Sequence, residues 1–178
     1  MGCEHPNSEG FCYSLAKDYF CFVLNRGGAP PATSKAAETL RRSASSLQTR
    51  HGRLERCVHR LNLSSLEEAT RVLPRLMNEI YSDGLENWGR IVTLFAFCGS
   101  LVGDLQRKGV PEQELVEGVA HCLARYTWTH KAAWIKENGG WEKGFVEYFQ
   151  QKKSSHFYAR IAAFTGIVAA LSFVLYQH

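Results

Sequence analysis

No Cys-x-x-Cys pair occurs among Cys3, Cys12, Cys21, Cys57, Cys98 and Cys122, so the spacing used by common zinc and redox sites is missing. Cys57 with His59, and His121 with Cys122, come nearest to a metal cluster, and neither has zinc-site spacing. No metal or other cofactor is expected, and cysteines of a cytosolic body stay reduced. No Ser-His-Asp, metal or phosphate-loop constellation is present either, which argues against an enzyme. Charge of one sign is also scarce: 21 Lys and Arg against 17 Asp and Glu leave +4, short of the basic stripe of a nucleic-acid binder. Repeats, low-complexity tracts and convincing strands are missing. The first residues lack a charged flank followed by an apolar run, so no secretory signal is expected. Met1-Gly2-Cys3 fails the myristoylation pattern because Pro6 stands where Ser or Thr is needed.

What the chain does have is 178 residues, 45% of them hydrophobic, enough for one domain with a packed core plus some extra. The extra is Phe157 to Tyr176, twenty residues with Arg160 as the single charge. As a helix rising about 1.5 Å per residue it reaches roughly 30 Å, the thickness of a bilayer's hydrocarbon core. Lys152, Lys153 and Arg160 lie on its N-terminal side, with Gln177 and His178 after it, so the positive-inside bias keeps the body in the cytosol. The pattern predicts a C-terminal membrane anchor over 152–178 and a helical domain over 1–151; a buried helix, or a tail docked in a surface groove, is the competing reading.

Helical period runs through almost every segment of the body. Phe11 to Leu24 places Leu15, Tyr19, Phe22 and Val23 on one face, and Gly27-Gly28 with Pro30-Pro31 stops it. Leu40, Ala44, Leu47, Leu54, Val58 and Leu61 recur at three- and four-residue intervals, with Gly52 as a break. This segment carries seven cations (Lys35, Arg41, Arg42, Arg50, Arg53, Arg56, Arg60) against Glu38 and Glu55. It reads as a solvated face, with an anionic lipid or acidic partner as the alternative. Ser65-Leu66-Glu67-Glu68 has capping-box spacing and opens a helix facing inward with Val72, Leu73, Leu76, Met77 and Ile80, in which Pro74 should bend the first turns or mark a later start. Asp83-Gly84 ends it.

Trp88 to Leu105 is apolar nearly all round, the mark of a helix buried on every side. Its uncharged run, Ile91 to Gly103, is thirteen residues, too short to span a bilayer. After Gly109 and Pro111, Leu115, Val116, Val119, Leu123 and Tyr126 mark another inward face. Two short pieces are expected beyond Lys131, around Trp134 and around Phe145 to Phe149, hinged at Asn138-Gly139-Gly140. The fold class is therefore all-α, a bundle of amphipathic helices around one apolar central helix.

The start of that helix is chemically unusual. Asn87 suits an N-cap, Gly89 sits where glycine costs up to about 1 kcal/mol unless another backbone must approach, and Arg90 is a cation where the helix dipole disfavours one. Arg90 reads either as a surface residue paired with a nearby carboxylate or as an anchor for an incoming one.

Glu79-Ile80-Tyr81-Ser82-Asp83-Gly84 running into Asn87-Trp88-Gly89-Arg90 resembles the first homology motif of the Bcl-2 family of apoptosis regulators. Trp134-Ile135-Lys136-Glu137-Asn138-Gly139-Gly140-Trp141, followed by Phe145, resembles the second, and Leu15 to Tyr19 resembles the N-terminal motif less sharply. The short first loop is similar to that of the branch of Bcl-2-like-ten and avian Nr-thirteen proteins. In the third motif the chain departs from the pattern: Leu40 is followed by Ala44 at the small position and by Ser45 where an Asp belongs, ahead of Leu47. Such a helix should be a poor donor to another member's groove.

The resemblance implies a Bcl-2-like bundle whose groove receives the amphipathic death-motif helix of pro-apoptotic relatives. Leu73, Leu76, Met77, Ile80, Tyr81 and Phe97 would line it beside Trp88. Arg90, helped by Asn87, would take the ligand's Asp, and Gly89 would admit the ligand backbone. Trp134, Gly140 and Trp141 would build short helices at the groove's end, more as staples than as contacts. An anti-apoptotic role is expected, facing the cytosol on the mitochondrial outer membrane, the endoplasmic reticulum or both. A pro-apoptotic pore former or sensitiser, and a regulator of endoplasmic reticulum calcium release through a channel partner, are the alternatives.

Overall fold

The computed structural model describes residues 8–25, 28–51 and 53–151; the expected anchor over 152–178 and the break at Gly52 lie outside them. The described residues form α1 (Glu9–Leu24), α2 (Lys35–His51), α3 (Arg53–Leu61), α4 (Leu66–Ile80), α5 (Trp88–Arg107) and α6 (Glu112–Glu137), then a π-helical turn (Gly140–Phe145) and α7 (Val146–Gln151).

Helices α1, α4 and α5 start where a side chain takes an orphan amide, whereas α6 starts after Pro111 without a side-chain cap. Ser8 caps α1 by accepting from Phe11 N–H at 3.1 Å, and Ser65 caps α4 by accepting from Glu68 N–H at 3.2 Å. The capping box at α4 closes one residue early: the Glu68 carboxylate accepts from Ser64 N–H at 2.8 Å and from its hydroxyl at 3.0 Å, and these bonds hold it below its usual pKa. Pro74 sits well inside α4, which runs unbroken from Leu66, so the later start allowed by the sequence does not occur.

The core is organised by α5, which touches α1, α2, α3, α4 and α6. Its buried residues run from Trp88 to Leu105 on all sides, as its uniform apolarity predicts. The full helix has 20 residues, so the whole element meets the length needed to cross a membrane although its uncharged run does not. On α1 the inward stripe is Cys12, Leu15, Ala16, Tyr19 and Phe20, while Phe22 and Val23, placed on that face from the sequence, are half-buried at its edge.

Two polar ties fix α2 against its neighbours. Arg41 Nε donates to Asp18 of α1 at 2.6 Å and its Nη1 donates to the Pro30 carbonyl at 2.8 Å. Gln48 Nε2 donates to the Ala96 carbonyl at 3.2 Å and to Ser100 Oγ at 3.1 Å on α5. Arg41 therefore leaves the solvated basic face assigned to this segment; Arg42, Arg56 and Arg60 are exposed as that assignment expects. Leu40, Ala44 and Leu47 are buried and Ser45 is half-buried, so the apolar face of α2 is committed to the core.

α6 continues through Trp134 to Glu137 as one 26-residue helix. The separate piece expected around Trp134 does not form, because no glycine or proline interrupts the chain between Gly118 and Gly139. The break comes at Gly139 and Gly140, both with positive φ, 85° and 69°. A Cβ on Gly144 would collide with the Asn138 carbonyl oxygen, so this turn also needs glycine for close backbone approach.

Candidate functional site

The α4–α5 corner is built by two helix ends and the loop between them. Asn87 caps α5, its Oδ1 accepting from Arg90 N–H at 2.9 Å. The cap uses the amide oxygen; a ligand carboxylate, being an acceptor, would be met by the Nδ2 donor of the same side chain. Gly89 is buried in the first turn, and its carbonyl accepts from the Thr93 hydroxyl at 2.8 Å.

Arg90 is neither a surface cation nor open to solvent: its side chain is 2% exposed. Its Nη1 donates to the Ile80 carbonyl at 2.7 Å and to Asp83 Oδ1 at 2.5 Å, while Nη2 donates to Asp83 Oδ2 at 2.5 Å. This is the bidentate fork in which arginine binds carboxylates most strongly. The Arg90 hydrogen bonds, followed by the Leu85 amide, hold the Asp83 carboxyl below the usual carboxylate value. Arg90 thus pairs with a neighbouring carboxylate, as the first reading has it, but from a buried position and not from the surface.

A second pair closes the other side of the loop. Lys131 Nζ on α6 donates to Glu86 Oε1 at 2.6 Å and stands 3.6 Å from the Tyr81 ring centroid. Burial, then the Glu86 charge, raises the Tyr81 phenol far above its normal range and pushes Tyr126 up to about 12. Neither Asp83 nor Lys131 stood out as a site residue in the sequence. Asp83 lies inside the first homology motif seven residues before Arg90, and that proximity was the available signal. Lys131 carried no signal beyond a cation late in an amphipathic helix.

The residues expected to line the groove are brought together but not laid open. Leu73, Leu76, Met77 and Ile80 on α4, Tyr81 beyond it and Phe97 on α5 are each at most 8% exposed. Trp88, expected beside the groove, is buried in the aromatic staple. Its ring packs against Trp134, Trp141 and Phe145 with centroids 5.0, 5.5 and 5.3 Å away, and Phe95 meets Trp141 at 5.9 Å. Edge and tilted geometries of this kind are favourable for aromatic rings. Burial raises the pKa of the neighbouring Cys12 thiol to about 12, which suits a packing group better than a nucleophile. Among the described residues no cluster of His, Cys, Asp and Glu could hold a metal ion.

The described residues form an all-helical bundle around an apolar α5, with a buried arginine in that helix's first turn. Residues 40–141 match the family described as apoptosis regulator proteins, Bcl-2 family. The chain is 34% identical to bovine Bcl-2-related protein A1 over 80% of its own length and 83% of the relative's. It is 31% identical to the anti-apoptotic protein NR13 of chicken, covering 89% of this chain and 87% of that one. The solved zebrafish pro-survival protein NRZ, in complex with a Bad BH3 segment, superimposes with a TM-score of 0.72 at 31% identity, covering 79% of this chain and 93% of that one. The chain belongs to the Bcl-2 family.

Proposed function

We propose that this chain is an anti-apoptotic receptor that captures the death-motif helix of pro-apoptotic relatives and thereby restrains permeabilisation of the mitochondrial outer membrane. The observation that carries the reading is Arg90, a buried cation whose fork is shaped for a carboxylate at the edge of a cluster of apolar α4 and α5 side chains. The pro-survival relatives and the NRZ complex with a Bad BH3 segment support it.

Apolar burial supplies much of the affinity but does not by itself reach the nanomolar range. Burying one large apolar side chain is worth about 1.5–3 kcal/mol, so four anchors at helical spacing supply roughly 6–12 kcal/mol before association costs. Nanomolar affinity corresponds to about 12 kcal/mol, so opening the closed groove residues must cost little relative to that sum. Phe157 to Tyr176 would hold the receptor on the mitochondrial outer membrane or the endoplasmic reticulum, facing the cytosol.

Isolated mitochondria exposed to a pro-apoptotic family member test the function: added protein should reduce release of intermembrane-space proteins. Unchanged release at saturating protein would refute the restraint. One feature favours a second reading, a pore-forming effector: α5 is long and apolar enough to cross a membrane. Against it stand the burial of α5, the polar ties on α2 and Ser45 in place of an acidic anchor. Dye release from liposomes by the activated protein would revive it. Regulation of calcium release through an endoplasmic reticulum channel rests on the exposed basic residues of α2 and α3, and lost channel response on neutralising Arg42, Arg56 and Arg60 would support it.

A further inference from the structure

The cation assigned to a ligand already holds a carboxylate of its own chain. Asp83 takes both terminal nitrogens of Arg90, and the Ile80 carbonyl takes a further bond from one of them. With the Arg90 side chain 2% exposed, a second carboxylate cannot reach those nitrogens from solvent while Asp83 stays. Asp83 itself is 46% exposed, in the loop that joins α4 to α5. Beside it Gly84 has φ 72°, and Leu85 is exposed. The loop is tied again at Glu86, by Lys131. The chain between Tyr81 and Glu86 is therefore the part that must move to free Arg90.

We propose that Asp83 is an internal stand-in for the ligand's acidic anchor, a specificity-determining residue that must leave Arg90 before a helix is captured. This rests on the receptor reading above and adds to it a threshold. A ligand's carboxylate gains the difference between two arginine–carboxylate pairs, not the whole of one. A helix without an acidic anchor gains nothing for displacing Asp83 and leaves a buried cation unmatched, so the closed pair selects against it.

The test compares the full chain with Asp83→Asn, which keeps an acceptor for the Leu85 amide, now bonded to Asp83 Oδ1 at 3.1 Å. Each is titrated with a pro-apoptotic helix peptide and with the same peptide carrying Ala in place of its Asp. A charge-assisted pair is worth enough that Asp83→Asn should bind the acidic peptide about tenfold tighter. The ratio between the two peptides should widen by the same factor, which a merely structural role for Asp83 would not produce. Equal or weaker binding with an unchanged ratio, in a variant that melts like the parent chain, overturns the proposal. If Asp83→Asn unfolds early, Asp83→Ser retains an acceptor for Leu85 and carries the same comparison. Failure of the acidic peptide to bind either chain overturns the receptor reading itself, and the stand-in falls with it.

Discussion

Among the described residues two buried arginines are held by aspartates, and they are held differently. In the pair between α1 and α2 both partners are sealed: the Arg41 side chain is 11% exposed and Asp18 2%. Asp18 Oδ2 also accepts from the Thr33 amide at 3.1 Å, and Arg41 lies 5.0 Å from the Phe22 ring. In the α4–α5 pair Arg90 is sealed and Asp83 is not. A pair buried on both sides has nothing to exchange with, and it locks α2 in place. A pair with one solvated half can trade that half for another carboxylate without leaving a charge stranded in the core. The difference separates a clamp from a binding group although the chemistry is the same.

The largest expected effect breaks the clamp. Arg41→Ala strands the Asp18 charge and should lower unfolding free energy by about 3–5 kcal/mol in urea titration, with helix-peptide binding unaffected in the fraction that stays folded. Arg90→Ala should reverse the pattern. It leaves Asp83 to water, so the melting temperature should fall less than for Arg41→Ala, while peptide binding in calorimetric titration weakens by about 1–2 kcal/mol, because the ligand's pair is lost but the Asp83 pair no longer has to be broken. Equal effects of the two variants on both readouts would erase the distinction between the pairs.

Smaller changes sharpen it. Asn87→Ala removes the cap beneath Arg90 and should cost about 1 kcal/mol of stability by thermal unfolding, with a modest loss of affinity as the first turn of α5 loosens. The smallest effect is on acidification. Because Asp83 is depressed below its ordinary value of 3.8, its contribution to stability is present above that value and is lost as pH falls through the lower folded-state value. The parent chain and Asp83→Asn should therefore show parallel stability curves from neutral pH to the mildly acidic range and converge only below the ordinary value, read by circular dichroism.

Much of the fold was legible because its signals are local. The Ser65 cap, the Asn87 cap and the all-round apolarity of α5 each follow from residues a few positions apart. The site was half legible: its motif named Arg90 and the apolar α4 and α5 residues. What escaped is long-range or competitive. Asp18 and Arg41 are 23 residues apart with a turn between them, and no periodicity links them. Lys131 meets Glu86 across 45 residues, on a different element. Trp88 falls within the site motif and also packs in the aromatic staple, whose partners Trp134 and Trp141 lie about fifty residues away on other elements. The extension of α6 through Trp134 was masked by the short apolar cluster that follows Lys131, which looks like a new element when read alone.

The central claim is that Arg90 is a carboxylate anchor inside a helix receptor. The most direct measurement is the affinity of the full chain for a pro-apoptotic helix peptide, taken beside the same peptide with its Asp replaced by Ala. Submicromolar binding of the first and at least about tenfold weaker binding of the second is the expected result. Binding no tighter than micromolar, or equal affinity for the two peptides, would contradict it.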